Sequence, residues 1–548
     1  MLEEFDPTTI EDEGLRQVFI SLMNLVETLH ATVQEQAEEI QRLRDENHRL
    51  KGEQGKPAIK ANKPTPPLSS EKERRESKPH HKASKQAQIR IDRVEVLKVD
   101  DQQLPQDAQF KGYEEVIVQD IDVRTHNIQF RKEKYYSPGQ KRTYLAPLPA
   151  GYHGQFGPAL RAWVLALYYA AGISEPKILE LLHTVGLHIS AGELSDLLIK
   201  DQEQFHAEHA AVVRAGLSSS PWQHLDSTGT RVNGSNHHCH VLCNPLYTAY
   251  CTLPAKDRLS LLRVLLGGAD PTFRLNERAL TLLKQLGVAQ KWCQQLIQLL
   301  PHDQECKESQ LDEVLDRHLP TLGTNSRKLI KDALAIAAYH TQTAVPVIEL
   351  LICDDAPQFR ELTAQLALCW VHEHRHYKKL TPRLTYHRKQ LDAFQEHFWK
   401  LYRRLLAYRH DPKQKEADEV RGEFERLFGQ ASDYDQLDQR KALTLAKKEA
   451  LLMVLSHPEI LLHNNPAELG ARQRVRKRDV SLQARTREGI GAWDTFQTLI
   501  STAKKLGVNM YQYLHDRLAQ TNTLPSLATL IEERAKELQL AASWLAVT

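Results

Sequence analysis

Three acidic positions stand where the apolar pattern stops. Trp222-Gln-His-Leu-Asp226 reads as a short strand ending in an acid, and Val347-Ile-Glu-Leu-Leu-Ile-Cys353 is an apolar run of buried-strand type that ends in Asp354-Asp355. In His463-Asn-Asn-Pro-Ala-Glu468, Pro466 suits a first helical turn and Asn464 or Asn465 an N-cap, so Glu468 should project from the start of a helix. Carboxylates gathered in this way suit hydrolysis and transesterification of a phosphodiester, where two divalent ions about 3.5–4 Å apart activate the nucleophile and stabilise the leaving oxygen. Hard oxygen donors favour magnesium, or manganese, and the metal explains how mutually repelling carboxylates could stay ionised. Spacing alone leaves a plainer reading open. Among 70 acidic residues, Asp226 and Asp354 also read as turn or capping acids, and Glu468 as a glutamate favoured by the helix dipole.

Two histidine-rich stretches invite a different metal. His237, His238, Cys239, His240 and Cys243 are rich in ligand types, but strand alternation sends them to opposite faces and they cannot all converge on zinc. The seven cysteines all lie between Cys239 and Cys369 without paired spacings, which reads as reduced structural thiols. His372, in Cys369-Trp-Val-His372, is placed to steady a phosphate or an attacking water, with a hydrogen-bonded core histidine as the alternative.

Particular elements must hold these residues. After Asp226 the chain turns through Val232-Asn-Gly-Ser235 into His237–Cys243 and Tyr247–Leu253, which predicts three antiparallel strands. An aspartate on the first of three meandering strands is how an RNase-H-like sheet places its first ligand. Helical stretches at about 257–345 and 381–462 read as insertions between sheet elements. Past Glu468, seven Arg/Lys against one Asp between Arg472 and Arg487 make a basic cluster in which Arg472, Arg474, Arg476, Lys477 and Arg478 would hold phosphates.

Upstream, Leu15, Phe19, Leu22, Val26, Leu29, Val33, Gln36, Ile40, Leu43, Asn47 and Leu50 recur every three and four residues, a coiled-coil seam that predicts a homo-oligomer. Residues 51–88 carry ten Lys/Arg against four Glu with several prolines, a basic disordered linker. Alternation from Ile91 through Tyr136 predicts a small β module. Residues 151–215 read as short helices, with Ser190 and Glu193 as a capping box and Gly186 as a break, resembling a helix-turn-helix or an ordinary helical hairpin.

At 548 residues the chain should divide into several domains, and no run of about 18 apolar residues could span a bilayer. The net charge of +2 averages acidic helices against the basic clusters. The expected setting is cytoplasmic, on the nucleoid, without membrane association.

The acidic blocks also resemble those of the insertion-sequence-66 family of transposases. Asp226-Ser-Thr-Gly-Thr-Arg231 is similar to the family's first motif, Asp354-Asp-Ala-Pro-Gln-Phe359 with Cys369-Trp-Val-His372 to its second, and Asn464-Asn-Pro-Ala-Glu468 with Arg487-Glu-Gly489 and Leu506-Gly-Val-Asn-Met-Tyr-Gln-Tyr-Leu514 to its third and its tail. Two departures mark a branch: no cysteine precedes Cys239, so the cysteine zinc module is missing, and Glu468 is followed by Leu469-Gly470-Ala471 before Arg472. The resemblance implies a DDE transposase with Asp226, Asp354 and Glu468 as catalytic metal ligands, Phe359 favouring Asp354 over Asp355. It implies Mg2+ or Mn2+, two ions per site, acting on double-stranded transposon ends and target DNA, with accessory transposition proteins as further partners. A non-catalytic architectural or regulatory DNA-binding protein is the alternative. The expected organisation is mainly α with an α/β RNase-H-like core: coiled coil 1–50, linker 51–88, β module 89–150, helical DNA-binding-like domain 151–215, catalytic core 216–500 and helical tail 501–548.

Overall fold

The structure, a computed structural model, describes residues 4–51, 89–100, 105, 108–121 and 123–545. The basic linker lies, apart from Lys51, outside the described residues. The N-terminal heptads form helix α1, Glu13–Leu50, which presents two different faces. Ile20, Met23, Asn24 and Glu27, three and four apart, are buried. Asn24 Nδ2 donates to the Asp433 carbonyl at 3.0 Å and its Oδ1 accepts from Asp435 N at 3.1 Å, while Glu27 accepts from the backbone N–H groups of Arg383 and Leu384 at 2.9 and 2.8 Å. The heptad positions Leu15, Leu22, Leu29, Val33, Ile40, Leu43 and Leu50 are exposed instead.

The β module takes a smaller form than its alternation predicts. A hairpin of β1, Lys134–Ser137, and β2, Arg142–Leu145, forms. The described residues of 89–133 join no ladder, and Val94, Val96, Val116 and Val118 are exposed. Alternation makes a strand only where a neighbour buries one face, and none does here.

The central sheet is built from β3, Trp222–Val232, β4, Ser235–Cys243, β5, Thr248–Leu253, β6, Leu350–Cys353, and β7, Gln365–Leu368, in the order β5-β4-β3-β6-β7. The first three are antiparallel; β6 runs parallel to β3, and β7 parallel to β6. Asn233 and Gly234, both at positive φ (47° and 78°), make the two-residue turn between β3 and β4. A parallel neighbour needs a long crossover, which the helical stretch before β6 supplies, ending in the helix Thr324–Thr341.

Helices α2, Pro158–Leu165, α3, Glu175–Thr184, α4, Ala191–Ile199, and α5, Glu203–Ser218, precede the sheet; α6, Thr324–Thr341, closes the crossover. The Ser190–Glu193 capping box forms. After β7 come α7, Trp370–Tyr377, then α8, Thr385–His410, α9, Gln414–Gly429, and α10, Asp435–Leu445, followed by α11, Asn465–Ser481, and α12, Arg487–Leu506. The helical region and the sheet share one buried core reaching from Ala162 to Leu540, with Tyr169 stacked on Phe496 of α12 at 4.5 Å.

Strand β5 lies at the sheet's edge, and α12 satisfies its outward N–H groups. Thr248, Tyr250 and Thr252 donate to Thr502 Oγ1, Thr498 Oγ1 and Asp494 Oδ2 at 3.2, 3.0 and 2.7 Å. Four helical residues rise about 6 Å, close to two residues of strand, so side chains four apart meet N–H groups two apart. The edge is thereby closed to pairing with another strand.

Candidate active site

Parallel pairing sets the first two acids side by side. His224 of β3 is level with Ile352 of β6. Asp226 stands two residues further along β3 and Asp354 is the first residue past β6, so the two acids lie on neighbouring strands about 4.8 Å apart; β3 runs on to Val232, so Asp226 sits within its strand and not at its end as expected. Asp226 Oδ1 accepts from Ser227 N at 2.8 Å, and Asp354 Oδ1 from Ala356 N at 3.1 Å. Asp355 is held elsewhere, paired with Lys447 at 2.6 Å and Arg360 at 3.1 Å. Burial would raise its carboxyl, but these two cations outweigh burial and hold it below the ordinary range.

The third acid arrives from a helix start fastened to β3. Asn464 precedes α11, as expected of a cap, yet its side chain does not cap. Instead Nδ2 donates to the Leu225 carbonyl at 2.8 Å and Oδ1 accepts from His224 Nδ1 at 3.1 Å. Burial pushes His224 down to about 3, so the imidazole stays neutral with its proton on the nitrogen facing Asn464. Asn464 N donates to Cys369 Sγ at 3.3 Å, tying the same point to the start of α7. At Gly470 a Cβ would come within 2.6 Å of Val241 Cγ1, so glycine lets α11 lie directly on β4.

Helix α7 adds two basic groups, one turn apart. His372 Nδ1 lies 3.5 Å from Glu468 Oε1. Arg375 donates to His372 Nε2 at 2.7 Å and to Glu468 Oε2 at 3.2 Å. Because Nε2 accepts, a neutral His372 carries its proton on Nδ1, toward Glu468. Arg375 is absent from the sequence reading. Its signal was available: it follows His372 by three residues, on the same helical face.

The electrostatics tie these groups into one cluster. Burial pushes Asp226 up to about 7; the Glu468 and Asp354 charges add to the rise, while the Ser227 N–H and Arg375 oppose it. Burial also depresses His372, with Arg375 assisting and Glu468 and Asp354 opposing. The ligand atoms of Cys369, His372 and Glu468 come within 4.8 Å of one another. Burial pushes the Cys369 thiol up to about 11. Asp226, Asp354 and Glu468 are hard oxygen donors near enough for the last two to act on the charge of the first, but among the described residues their ligand atoms do not all come within 4.8 Å of one another.

The basic run on α11 divides by helical face. Arg472 and Arg476 are exposed and Arg478 is half-buried, donating to the Gly229 carbonyl at 2.6 Å. Arg474 and Lys477, expected to hold phosphates, point inward instead. Arg474 is fully buried against Asp494 between the Tyr250 and Trp493 rings, and Lys477 donates to the Tyr168 carbonyl at 2.8 Å with Nζ 3.0 Å from that ring's centre. Burial pulls the Lys477 amine down to about 7. The reason is periodicity: residues 470, 474 and 477 share the face that Gly470 lays on the sheet. Of the rival zinc ligands, His240 is a buried histidine bonded to Ser227 Oγ at 2.7 Å and the Ala255 carbonyl at 3.1 Å.

Among the described residues no helix is long and apolar enough to cross a membrane. The model of the transposase IS66 family matches residues 338–492, a span that holds β6, α7, Asp354 and Glu468. A protein of Sinorhizobium fredii (strain NBRC 101917 / NGR234), y4jO, itself described as uncharacterized, is 30% identical over 327 residues, 59% of this chain and 100% of that relative. No solved structure matches. With the matched segment carrying two of the three clustered acids and the full length of a relative covered, the chain belongs to the IS66 transposase family.

Proposed function

We propose that this protein cuts DNA strands at the ends of its insertion sequence and joins them to target DNA, using Asp226, Asp354 and Glu468 as ligands for Mg2+ or Mn2+. The observation that carries the proposal is that Asp354, just past the end of β6, and Glu468 of α11 stand close enough to Asp226, within the adjacent parallel strand β3, for their charges to act on it. Three antiparallel strands followed by two parallel ones is also the order an RNase-H-like core would use. The donor set fits the metal. It consists of hard oxygens, and the Glu468 and Asp354 charges add to the raised proton affinity of Asp226, a strain that a divalent cation relieves.

When bound, the cations supply activation of the attacking oxygen and neutralisation of the leaving one. The chain's own groups do the rest. His372 holds a proton at Nδ1 beside Glu468, and its burial keeps it neutral so that it adds no charge to the cluster. Asn464 and Gly470 fix the distance between α11 and the strands. Arg472, Arg476 and Arg478 offer phosphate contacts on the outer side of α11. The exposed seam of α1 joins copies of the chain, so that two DNA ends can be held together.

The test is strand cleavage and joining on DNA carrying the element's own ends, with Mg2+, for wild type, Asp226→Asn, Asp354→Asn, Asp355→Asn and Glu468→Gln. The expected result is DNA binding without cutting for Asp226→Asn, Asp354→Asn and Glu468→Gln, with Asp355→Asn still cutting. A wild type that binds ends and never cuts, with accessory proteins and metal supplied, would establish an architectural role instead.

A further inference from the structure

We infer that Arg375 is the residue of this site that grips the phosphate being cut, with Glu468 as its partner until DNA and metal arrive; the inference rests on the transposase reading. Its guanidinium spans His372 Nε2 at 2.7 Å and Glu468 Oε2 at 3.2 Å, and 36% of its side chain is exposed, so a ligand entering the site can reach it. A guanidinium has five N–H donors in a planar fork, so these two contacts leave donors over for another anion.

Three other cations of this region are committed, while Arg472 and Arg476 lie on the outer side of α11. Lys447 and Arg360 hold Asp355, and Arg474 is paired with Asp494 inside the core. Arg375 alone of these four sits on one of the three clustered acids. A divalent cation bound to Glu468 and a guanidinium on the same carboxylate repel each other, so metal binding weakens the Arg375–Glu468 pair. The group then needs another anion. The phosphate lying across the three carboxylates presents two non-bridging oxygens, to which the fork of an arginine is matched and the point charge of a lysine is not. Helix α7 keeps the backbone in place, so only the side chain has to turn.

Two substitutions in the full chain test this, Arg375→Gln and Arg375→Lys. Mn2+ affinity is measured by titration without DNA. Cutting is measured at saturating end DNA, and binding in Ca2+ is compared for end DNA with a normal phosphate or a neutral methylphosphonate at the cleavage position. Removing a competing cation beside Glu468 should tighten Mn2+ binding by roughly tenfold in Arg375→Gln. Cutting should slow by about 10²–10³-fold, the usual cost of losing one donor to a transition-state oxyanion. Wild type should lose affinity for the methylphosphonate DNA and Arg375→Gln should not. Arg375→Lys should keep wild-type Mn2+ affinity and recover only part of the cutting rate.

Unchanged or weaker Mn2+ binding in Arg375→Gln, in a protein that still cuts DNA, overturns this inference alone, since Arg375 would then merely orient Glu468. Equal methylphosphonate sensitivity in wild type and variant does the same. A wild type that binds Mn2+ and cuts no end DNA overturns the transposase reading, and the phosphate role of Arg375 with it.

Discussion

At Asp226 the fold keeps a carboxylate where ionisation is costly, because burial and two neighbouring acids all oppose the charge. A folded-state value raised to about 7 means that the folded protein holds a proton which the unfolded chain releases near pH 4. Stability is therefore lost as pH rises from about 4 to about 7 and is level above that. In the presence of a chelator, Asp226→Asn should raise stability at pH 8 by on the order of 2 kcal/mol and leave it unchanged at pH 4, as read by denaturant unfolding. Adding Mn2+ at pH 8 should stabilise wild type and do little for Asp226→Asn. Equal gains at both pH values would show that ionisation of Asp226 is not the cause. A second residue-scale prediction concerns Gly470. Alanine is the better helix former by about 1 kcal/mol, but its Cβ would meet Val241 at 2.6 Å with Thr248 and Tyr250 close behind. Overpacking should win, so Gly470→Ala should cost about 1–3 kcal/mol in urea unfolding and slow cutting by shifting Glu468. A more stable variant would mean that α11 can lift from the sheet freely.

At the scale of elements, the long stretch between β7 and α11 does more than separate them. Lys447 reaches back to Asp355 at 2.6 Å and Glu373 of α7 at 3.1 Å. Arg440 of α10 pairs with the same Glu373, which Thr444 also bonds. One cation thus joins the loop that carries Asp354 to the helix that carries His372 and Arg375. Lys447→Met should leave two acids short of a partner and destabilise the protein by roughly 3–5 kcal/mol, the usual cost of breaking a buried pair from one side. The loss should shrink when Asp355→Asn is combined with it, in a double-mutant cycle read by thermal unfolding. Strict additivity would mean that the two residues do not act together.

For the whole molecule, α1 presents two different faces, and under the proposed function the outer one carries self-association. Asn24 and Glu27 dock it on the start of α8 and on the loop before α10, leaving the leucine seam outward. Leu29→Asp with Val33→Asp should abolish self-association in sedimentation while leaving thermal unfolding of the monomer within about 0.5 kcal/mol, since both side chains are exposed. Glu27→Ala should lower stability by about 1–3 kcal/mol through the N–H groups it strands at Arg383 and Leu384. If the seam variant still self-associates, the helix joins no second copy.

Much of this is written in local pattern. Period-two and heptad repeats, the Asn233-Gly234 turn and the Pro466 helix start depend on neighbours a few residues away, so α1, β3 to β6 and the start of α11 were legible from sequence, although β3 runs on past Asp226 to Val232 instead of ending there. What local pattern cannot carry is which side of an element meets what. Arg472 and Arg474 look alike in sequence, but only packing against β4 sends one to solvent and the other to Asp494. Asp354 and Asp355 are neighbours of the same type, and Lys447, some 90 residues further on, is what claims the second. The valines of 89–118 alternate like a strand yet find no face to cover, because a strand needs a partner that the alternation itself does not provide. Residue chemistry and element type were thus determined by the sequence alone, whereas register, burial and pairing between distant segments were decided by the tertiary structure, since those energies exist only once the segments meet.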